Sequence, residues 1–311
     1  MVWKMRTKPG ATATGGDASR ETRQYPLMPQ IVRSEVSRDN GRTPAMTGQT
    51  VVASANLLCT LPNATAVEAL GQVLAEGPDL VGLQEWYPRR FLALRGRGTV
   101  RLAPALGLPS VRVPASRDVG QPTYHWVATL ADGNIAGARA DRFDLLEARA
   151  VLNVGPARCD RPDRFLRIEP PRFIAIGIFH DRVVDRIVAL LTYHLTSGVQ
   201  VRGQYRSDRP LLAARHREEV RHLAELVAEH QQLGHAVYAV GDSNFDGLRL
   251  PGLTSAWEGR EDELGTLGVG TRKVDDIHGP GRAHEVRRLI TASDHQAVLA
   301  TRLDRGATGE T

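Results

Sequence analysis

The sequence predicts an α/β protein in which two sheets are covered by helices. A β-rich run at 50–58 is followed by an amphipathic stretch and then by the apolar run 79–86, which is a strand–helix–strand unit. A second, longer amphipathic stretch at 210–233 is directly followed by another short apolar run. The chain has 311 residues, which is enough for one large domain with a buried core.

The first helix is predicted within the segment NATAVEALGQVLAEG. Asn63 is a suitable N-cap, because its side chain can accept a bond from a free N–H of the first turn. Val67, Leu70 and Leu74 recur at helical spacing and form one apolar face. Gly77 can end the helix, since glycine readily adopts the left-handed conformation found there.

The remaining elements are predicted from the same periods. The stretch 210–233 is expected to be a helix with Val220, Leu223 and Val227 on one face and Gly234 as its stop. The segment DGNIAG is expected to be a loop. The later strand candidates, in chain order, are TYHWVATL, EARAVLNV, RFIAIGIF, DRIVALLTYHL, AVYAVGD, RKVDDI, HEVRRLI and HQAVLATRL.

The first 48 residues are predicted to form a disordered tail, because they are rich in Thr, Gly, Pro, Ser and Arg and have no sustained period. Residues 1–49 carry eight Lys and Arg against four Asp and Glu, while the whole chain has a net charge of +5. The rest of the chain is therefore nearly neutral. A basic tail can also bind nucleic acid or a partner, and this alternative stays open. We expect one ordered domain at 49–305 and a short tail at 306–311.

Composition excludes several classes of protein. No apolar run approaches the roughly 20 residues that a membrane-spanning helix needs, so no membrane span is expected. The N-terminal segment MVWKMRTKPG has no apolar stretch typical of a secretory signal. Cys59 and Cys159 are too few for a disulfide framework, and we therefore expect a reducing, cytoplasmic location.

Several predicted strands end in a polar residue that a buried core does not require. In YAVGDSNFDG, Asp242 and Asn244 lie two residues apart, so on a strand their side chains point to the same face. The carboxylate can take a proton from water while the amide holds an oxyanion. Gly, Asp, Ser and Asn are, however, also the residues typical of a turn. The other polar residues at strand ends are Asn56, Glu85, His194, Asp275, Asp294 and His295.

The order N … QE … HL … GDSN … VDDI … SDH resembles the endonuclease/exonuclease/phosphatase superfamily, also called DNase I-like. The resemblance extends over residues 50–303, and GDSN and SDH are its most specific parts. It implies a four-layer α/β sandwich, in which two packed mixed β-sheets are flanked by helices, with the site at one end. It also implies hydrolysis of phosphate esters with a divalent metal ion.

The resemblance implies a role for each polar residue. Glu85 is expected to be the chief metal ligand, assisted by Asn56 and Asp294. Oxygen ligands without a cysteine favour Mg²⁺ or Mn²⁺. The implied catalytic residues are His194, Asp242, Asn244, Asp275 and His295.

Two assignments within this set need a choice. Asp275 is preferred to Asp276 as the partner of His295, because the family pattern places one hydrophobic residue just before this aspartate and another two positions after it. Either Asp242 or His295 can act as the base, and the sequence leaves that choice open. His194 is expected on the other side of the phosphate, as an oxyanion donor or as an acid for the leaving group.

The substrate is expected to be set by the loops. The segment VRGQYRSDRP places Arg202, Arg206 and Arg209 around Tyr205, which suits a nucleic-acid backbone, an inositol phosphate or a solvated loop. We expect a nuclease acting on DNA or RNA. The alternatives are hydrolysis of a small phosphoester, such as an inositol phosphate or a phospholipid head group, and a catalytically silent binding module with the same fold.

Overall fold

The computed structural model describes residues 48–103, 110–115, 123–162, 164–260, 263–268 and 270–304. Within them the chain forms eighteen β-strands and three α-helices. The expected N-terminal tail at 1–48 lies outside the described residues apart from Gly48, and the expected C-terminal tail at 306–311 lies outside them entirely.

Eight strands form one mixed sheet, called sheet A. Its strands, in spatial order, are β17 (Ala283–Leu289), β18 (Ala297–Leu303), β1 (Gln49–Asn56), β2 (Leu80–Gln84), β6 (Ile135–Arg139), β5 (Tyr124–Thr129), β3 (Gly98–Ala103) and β4 (Val111–Val113). In its centre β1 runs parallel to β2 and antiparallel to β18.

Six strands form the second mixed sheet, called sheet B. Its strands, in spatial order, are β15 (Thr254–Ser255), β16 (Asp275–Gly279), β14 (Ala236–Asp242), β11 (Arg186–His194), β10 (Arg172–Asp181) and β7 (Phe143–Val154). Two short hairpins complete the strands: β8 (Ala157–Arg158) with β9 (Ile168–Glu169), and β12 (Gln200–Val201) with β13 (Gln204–Tyr205).

The helices cover the outer faces of the two sheets. The helices are α1 (Asn63–Ala75), α2 (Phe91–Arg95) and α3 (Pro210–Gln232), with 3-10 turns at Pro88–Arg90 and Phe165–Arg167. The apolar face of α1 is buried in a cluster with the outer side of sheet A, and that of α3 in a cluster with the outer side of sheet B. A third cluster fills the space between the sheets. The four-layer α/β sandwich expected from the sequence is confirmed.

The two sheets approach each other closely at Gly82, in the middle of β2. A Cβ atom at this position would lie 2.1 Å from Cγ2 of Val240 in β14. Any larger side chain would therefore push the sheets apart. Because β2 and β14 both end at the site described below, this contact also fixes the distance between the two halves of that site.

The structure differs from the predicted elements in three places. Half of the segment expected to be a loop, DGNIAG, lies in β6, because Ile135 and Ala136 are buried in the middle of sheet A. The residue that caps α1 is Pro62, with no side-chain capping bond, so the prediction of Asn63 as the N-cap was wrong. The short elements β3, β4, β8, β9, β12, β13, β15 and α2 carry no periodic pattern and were not predicted.

Neither cysteine forms a disulfide: Cys159 is buried and Cys59 is partly exposed. In the part of the chain that the structure describes, no helix has the length and apolar character required to cross a bilayer.

A buried cluster of charges lies where the edge of sheet B meets sheet A. The Arg142 guanidinium donates to Asp181 at 2.6 and 3.0 Å, to Asp304 at 3.0 Å and to Asp79 at 3.1 Å. Arg142 itself is 5% exposed. One arginine therefore links three carboxylates from different parts of the chain, and Arg139 and Arg186 add further positive charge beside Asp79 and Asp304.

Replacing Arg142 by Met is expected to lower the free energy of unfolding by about 3–5 kcal/mol, because it leaves three buried carboxylates without their shared cation. Urea denaturation measures this loss. The control is Arg182→Met, which removes a half-exposed ion pair with Asp144 and should cost less than about 1 kcal/mol. Equal losses in the two variants would contradict this assignment.

Candidate active site

Three of the predicted site residues lie side by side at one end of sheet B. His194, the last residue of β11, pairs with Asp242, the last residue of β14. Asp242 in turn pairs with Asp275, the first residue of β16. Residues directly opposite each other on neighbouring strands point to the same face of a sheet. The register thus places one imidazole and two carboxylates in a row.

Sheet A supplies the other half of the site. Asn56 ends β1 and pairs with Gln84, the last residue of β2, so that Glu85 follows directly beyond the edge of the sheet. Glu85 has a φ of 59°, in the left-handed region that is strained for residues other than glycine. His295 lies two residues before β18, the strand that neighbours β1.

The Asp242 carboxylate joins the two halves. Its Oδ2 accepts a bond from Asn56 Nδ2 at 3.1 Å, and its Oδ1 accepts one from the backbone N–H of Asn244 at 2.8 Å. The same Oδ2 lies 3.5 Å from Nε2 of His194 and 3.8 Å from Nε2 of His295. Burial and the negative charge of Asp275 raise the pKa of Asp242 to about 7. This group can therefore accept a proton near neutral pH.

Asp275 and His295 form a carboxylate–imidazole pair. Nδ1–H of His295 donates to Oδ2 of Asp275 at 2.8 Å. Burial opposes protonation of the ring, but the Asp275 charge outweighs it and raises the pKa of His295 to about 10. The imidazole is therefore a cation at neutral pH. Asp276 points away from this pair, and its carboxylate accepts bonds from the Ser255 hydroxyl at 2.6 Å and the backbone N–H of Ala256 at 3.2 Å.

Glu85 is held in place by the end of β1 and by the segment that follows this strand. Its Oε1 accepts a bond from Asn56 Nδ2 at 3.2 Å, and its Oε2 accepts one from the backbone N–H of Cys59 at 2.6 Å. Burial works against ionisation of this carboxyl, yet the neighbouring His194 and the bonds from Cys59 and Asn56 hold the pKa of Glu85 below its usual value. Glu85 therefore carries a negative charge at neutral pH.

The donor set fits a hard divalent cation. Ligand atoms of Asp242, Asp275 and His295 lie within 4.8 Å of one another, and Asn56 links Glu85 to this group. Carboxylate and amide oxygens are the ligands that Mg²⁺ and Mn²⁺ prefer. Asn56, however, turns its amide nitrogen to the carboxylates, while its oxygen accepts the Leu58 N–H at 3.1 Å. This side chain can bind a cation only after its amide has turned over.

Asp294 differs from the other predicted metal ligands. Its side chain is exposed, and its carboxylate accepts a bond from the Ser293 hydroxyl at 3.4 Å. It does not belong to the group of metal-ligating atoms found among the described residues. Its contribution to the site is electrostatic: burial lowers the pKa of His295, and the Asp294 charge adds to the larger rise that Asp275 and Asp242 cause.

Comparison with solved structures identifies the fold. The humanized TDP2 of D. rerio matches with a TM-score of 0.54 and 16% sequence identity, over 82% of this chain and 99% of that one. The chain has the DNase I-like fold. No family model matches the sequence, and no curated protein does either.

Two proteins of Bacteroides thetaiotaomicron share this DNase I-like fold. An endonuclease/exonuclease/phosphatase family protein matches with a TM-score of 0.53 and 16% identity, over 81% of this chain and 97% of that one. A mannosyl-6-phosphatase matches with a TM-score of 0.51 and 16% identity, over 81% of this chain and 98% of that one. D. rerio TDP2 also matches in a structure with a single-strand DNA product, at a TM-score of 0.50 and 18% identity, over 81% of this chain and 98% of that one.

In this DNase I-like fold, Asn244 lies at the bend that follows β14. It has a φ of 52°, which again is the left-handed region. Its side-chain Nδ2 donates to the carbonyl oxygen of Leu195 at 3.1 Å, so one of its two N–H groups is bound to the backbone. The other N–H can still donate a hydrogen bond, and its use for an oxyanion stays a prediction.

The hairpin formed by β12 and β13 carries Tyr205, which points inward. Its hydroxyl donates to Nδ1 of His216 at 2.9 Å, and its ring centroid lies 4.6 Å from that of Phe245. Gln200 of the same hairpin donates to the carbonyl oxygen of Asn244 at 3.3 Å. Tyr205 therefore packs against the loop that follows β14, and its hydroxyl is already hydrogen-bonded to His216.

The three arginines of this loop lie in different environments. Arg206 forms an ion pair with Asp208 at 2.5 Å, and Arg209 donates to the carbonyl oxygen of Gly198 at 3.4 Å. Arg202 is exposed at the tip of the hairpin, with a φ of 52°. None of the three is brought against the carboxylates or imidazoles described above.

Three buried basic residues near the site were not assigned from the sequence. Arg90 donates to the carbonyl oxygens of Leu57 at 3.0 Å and Glu85 at 3.3 Å, and so ties together the segments that follow β1 and β2. His216 donates from Nε2 to the carbonyl oxygen of Ser243 at 2.8 Å. Arg172 begins β10, next to the end of β11.

Only one of these residues had a signal in the sequence. His216 falls on the apolar face of α3, four residues before Val220, and a histidine on such a face must find buried partners. Arg90 and Arg172 belong to no motif, since a long basic side chain can equally extend into solvent.

We expect His216 to make stability fall at acidic pH. Burial lowers the pKa of His216 to about 4 in the folded chain, whereas the unfolded chain has the ordinary value of about 6.5. The unfolded state therefore takes up the proton first, and the stability is full above pH 6.5 and is lost as the pH falls towards 4. Between pH 7 and pH 5 this group should account for about 2 kcal/mol of the free energy of unfolding.

Urea denaturation of wild type and His216→Gln at both pH values measures this contribution. The variant should lose less stability than wild type between pH 7 and pH 5, whatever its stability at pH 7. His284→Gln, on the exposed face of β17, serves as the control and should behave like wild type. The same pH dependence in wild type and His216→Gln would show that this histidine is not responsible.

Proposed function

We propose that the chain is a divalent-metal-dependent phosphoesterase, and that its first substrate class is nucleic acid. The observation that carries the proposal is the group of Asp242, Asp275 and His295 within 4.8 Å, connected to Glu85 through Asn56. Cleavage of a phosphate ester needs neutralised charge, an activated water and a stabilised leaving oxygen. Each need has a matching group in this set.

The protonation states favour Asp242 as the base. Its pKa of about 7 lets it take a proton from water at neutral pH, when part of the population is ionised. His295, with a pKa of about 10, is already protonated under the same conditions and cannot take another proton. It would instead bind a phosphate oxygen as a cation held in orientation by Asp275.

The remaining residues would bind and orient the phosphate. Glu85, with Asn56 after its amide has turned over, would hold Mg²⁺ or Mn²⁺, which supplies positive charge to the phosphate oxygens when bound. His194 is neutral at pH 7, because burial and the charge of Arg172 lower the pKa of His194 to about 3. It would therefore donate a hydrogen bond to an oxygen rather than a full charge. Asp294 is proposed as an outer carboxylate near the metal.

The choice of nucleic acid rests on two observations. A solved structure of D. rerio TDP2, which shares the fold, contains a single-strand DNA product. Arg202, at the tip of the hairpin beside the site, is free to reach a phosphate backbone, and Arg206 and Arg209 flank it. The second candidate, a small phosphoester, is favoured by the mannosyl-6-phosphatase with the same fold. A cytoplasmic location remains a prediction from the cysteine count.

The proposed activity is tested by nicking of supercoiled plasmid. Mg²⁺ and Mn²⁺ should support nicking and EDTA should abolish it. Asp242→Asn and His295→Ala should each lower the rate by about 10²- to 10⁴-fold, since each removes a group that moves a proton or holds the oxyanion. Asp144→Asn and His284→Ala, which alter groups outside the site, are the matched controls and should keep the wild-type rate.

The same variants separate the alternatives. If the chain releases phosphate from inositol phosphates or from a phospholipid head group and does not nick plasmid, its substrate class is a small phosphoester and not nucleic acid. No hydrolysis on a panel of phosphoesters, despite measurable binding of Mn²⁺, would contradict the enzyme and favour the binding module. Nicking that survives in both Asp242→Asn and His295→Ala would place the activity elsewhere.

A further inference from the structure

Arg172 lies close to the row of site residues in sheet B. It is the first residue of β10, which pairs antiparallel with β11 so that Ala175 is opposite Thr192. The start of β10 is therefore beside the end of β11, where His194 lies. Burial and the positive charge of Arg172 together lower the pKa of His194. The same charge opposes the rise that burial causes in the pKa of Tyr87, two residues after Glu85.

The backbone at Arg172 is irregular. Arg172 pairs with Val154 and Phe173 pairs with Leu152, so Asn153 of β7 is an extra residue without a partner on β10. Such a bulge bends the strand and changes the direction of the side chains beside it. Bulges occur often next to active sites for this reason. The extra residue belongs to β7, so the bulge bends that neighbouring strand at the point where β10 begins.

Arg172 is a buried cation that forms no ion pair with a carboxylate of the described residues. It is 7% exposed, and its Nε is fully buried without a hydrogen-bond partner. Among the described residues, no hydrogen bond or ion pair of its guanidinium exists within the usual limits. An arginine has five N–H donors, and burying them unpaired is costly. In the rest of the described chain, comparably buried arginines such as Arg142 and Arg302 donate several bonds.

Two buried carboxylates lie near Arg172 but bond to other groups. Asp132 accepts bonds from the Thr129 hydroxyl at 2.7 Å and from the backbone N–H of Phe173 at 2.6 Å. Glu219 accepts two bonds from Thr196, both at 2.6 Å. Their charges lower the cost of burying the guanidinium while leaving its N–H groups free. The cation is thus kept charged and unpaired, as a binding site for an anion requires.

We propose that Arg172 binds an anionic oxygen of the substrate phosphate on the His194 side of the site. This inference rests on the proposed function and adds a residue to it. Arg172 and His295 then lie on opposite sides of the row formed by His194, Asp242 and Asp275, so that a phosphate over Asp242 has a cation on each side. A guanidinium binds two oxygens of one phosphate at once, which a histidine cannot do. The oxygens belong either to the reacting phosphate or to its neighbour along a strand.

The proposal is tested by calorimetric titration of the full chain with inorganic phosphate in the presence of Mg²⁺. Arg172→Ala should weaken phosphate binding by about 10- to 100-fold, because a charge-assisted pair of bonds is lost. Arg172→Lys keeps the charge but not the two-pronged geometry, so its affinity should lie between those of wild type and Arg172→Ala. Arg172→Gln removes the charge but keeps a polar, unbranched side chain, and its phosphate affinity is measured instead if Arg172→Ala does not fold.

The control is Arg302→Lys. Arg302 is also buried, but it donates to the carbonyl oxygens of Thr254 at 2.8 Å and Ile277 at 2.7 Å, near the end of β18 that is remote from His295. This variant should lose stability and keep the wild-type affinity for phosphate. The control therefore separates a general loss of packing from the loss of a phosphate ligand.

Two dinucleotides, one with and one without a 5′-phosphate, identify the source of the bound oxygens. Equal weakening for inorganic phosphate and both dinucleotides in Arg172→Ala would assign Arg172 to the reacting phosphate. Weakening only for the dinucleotide with a 5′-phosphate would assign it to the neighbouring phosphate. Either result supports the proposal. Unchanged affinity for all three ligands in a folded Arg172 variant, or no binding of any of them by wild type, would overturn it.

Plasmid nicking by the same variants keeps this inference apart from the proposed function. If Arg172→Ala nicks plasmid at the wild-type rate, the proposed phosphoesterase activity is retained and Arg172 is excluded as a ligand of the substrate phosphate. Arg172-dependent phosphate binding in a chain that hydrolyses no phosphoester would keep the phosphate site and reject the enzyme.

Discussion

The site depends on one buried carboxylate that both sheets share. Asp242 ends a central strand of sheet B, and the side-chain amide of Asn56 in sheet A donates a hydrogen bond to it. A buried carboxylate must be neutralised or given hydrogen bonds, since its burial is otherwise costly. The chain meets this demand with Asn56, the Asn244 N–H and two histidines. The same partners bring the remaining site residues to one place.

The charges explain why such a site is suited to phosphate. Glu85, Asp242 and Asp275 are gathered close together, and carboxylates in one place repel each other unless a cation is added. His295 supplies one positive charge through its pair with Asp275, and Arg172 supplies a second that has no bonded partner among the described residues. A divalent cation bound near Glu85 would complete the balance, and a phosphate bound in the proposed site would then meet positive groups from several directions.

The sequence predicted the strands that carry the site because their apolar runs are long and their ends are polar. It also distinguished Asp275 from Asp276, and the structure places Asp275 against His295 and Asp276 against Ser255. It could not predict partners that meet only in three dimensions. The bond from Asn56 to Asp242 joins residues 186 positions apart, and no local pattern indicates it. The inward turn of Tyr205 and the unpaired state of Arg172 likewise depend on neighbours from other strands.

We propose that the carboxylates at this end of the two sheets hold a divalent cation. Anomalous difference density from a crystal of the full chain grown with Mn²⁺ shows where the ion binds. We expect a peak about 2.0–2.6 Å from a carboxylate oxygen of Glu85, within the group that also contains Asp242. Ordered side chains at Glu85 and Asp242 without such a peak, at a saturating Mn²⁺ concentration, would contradict it.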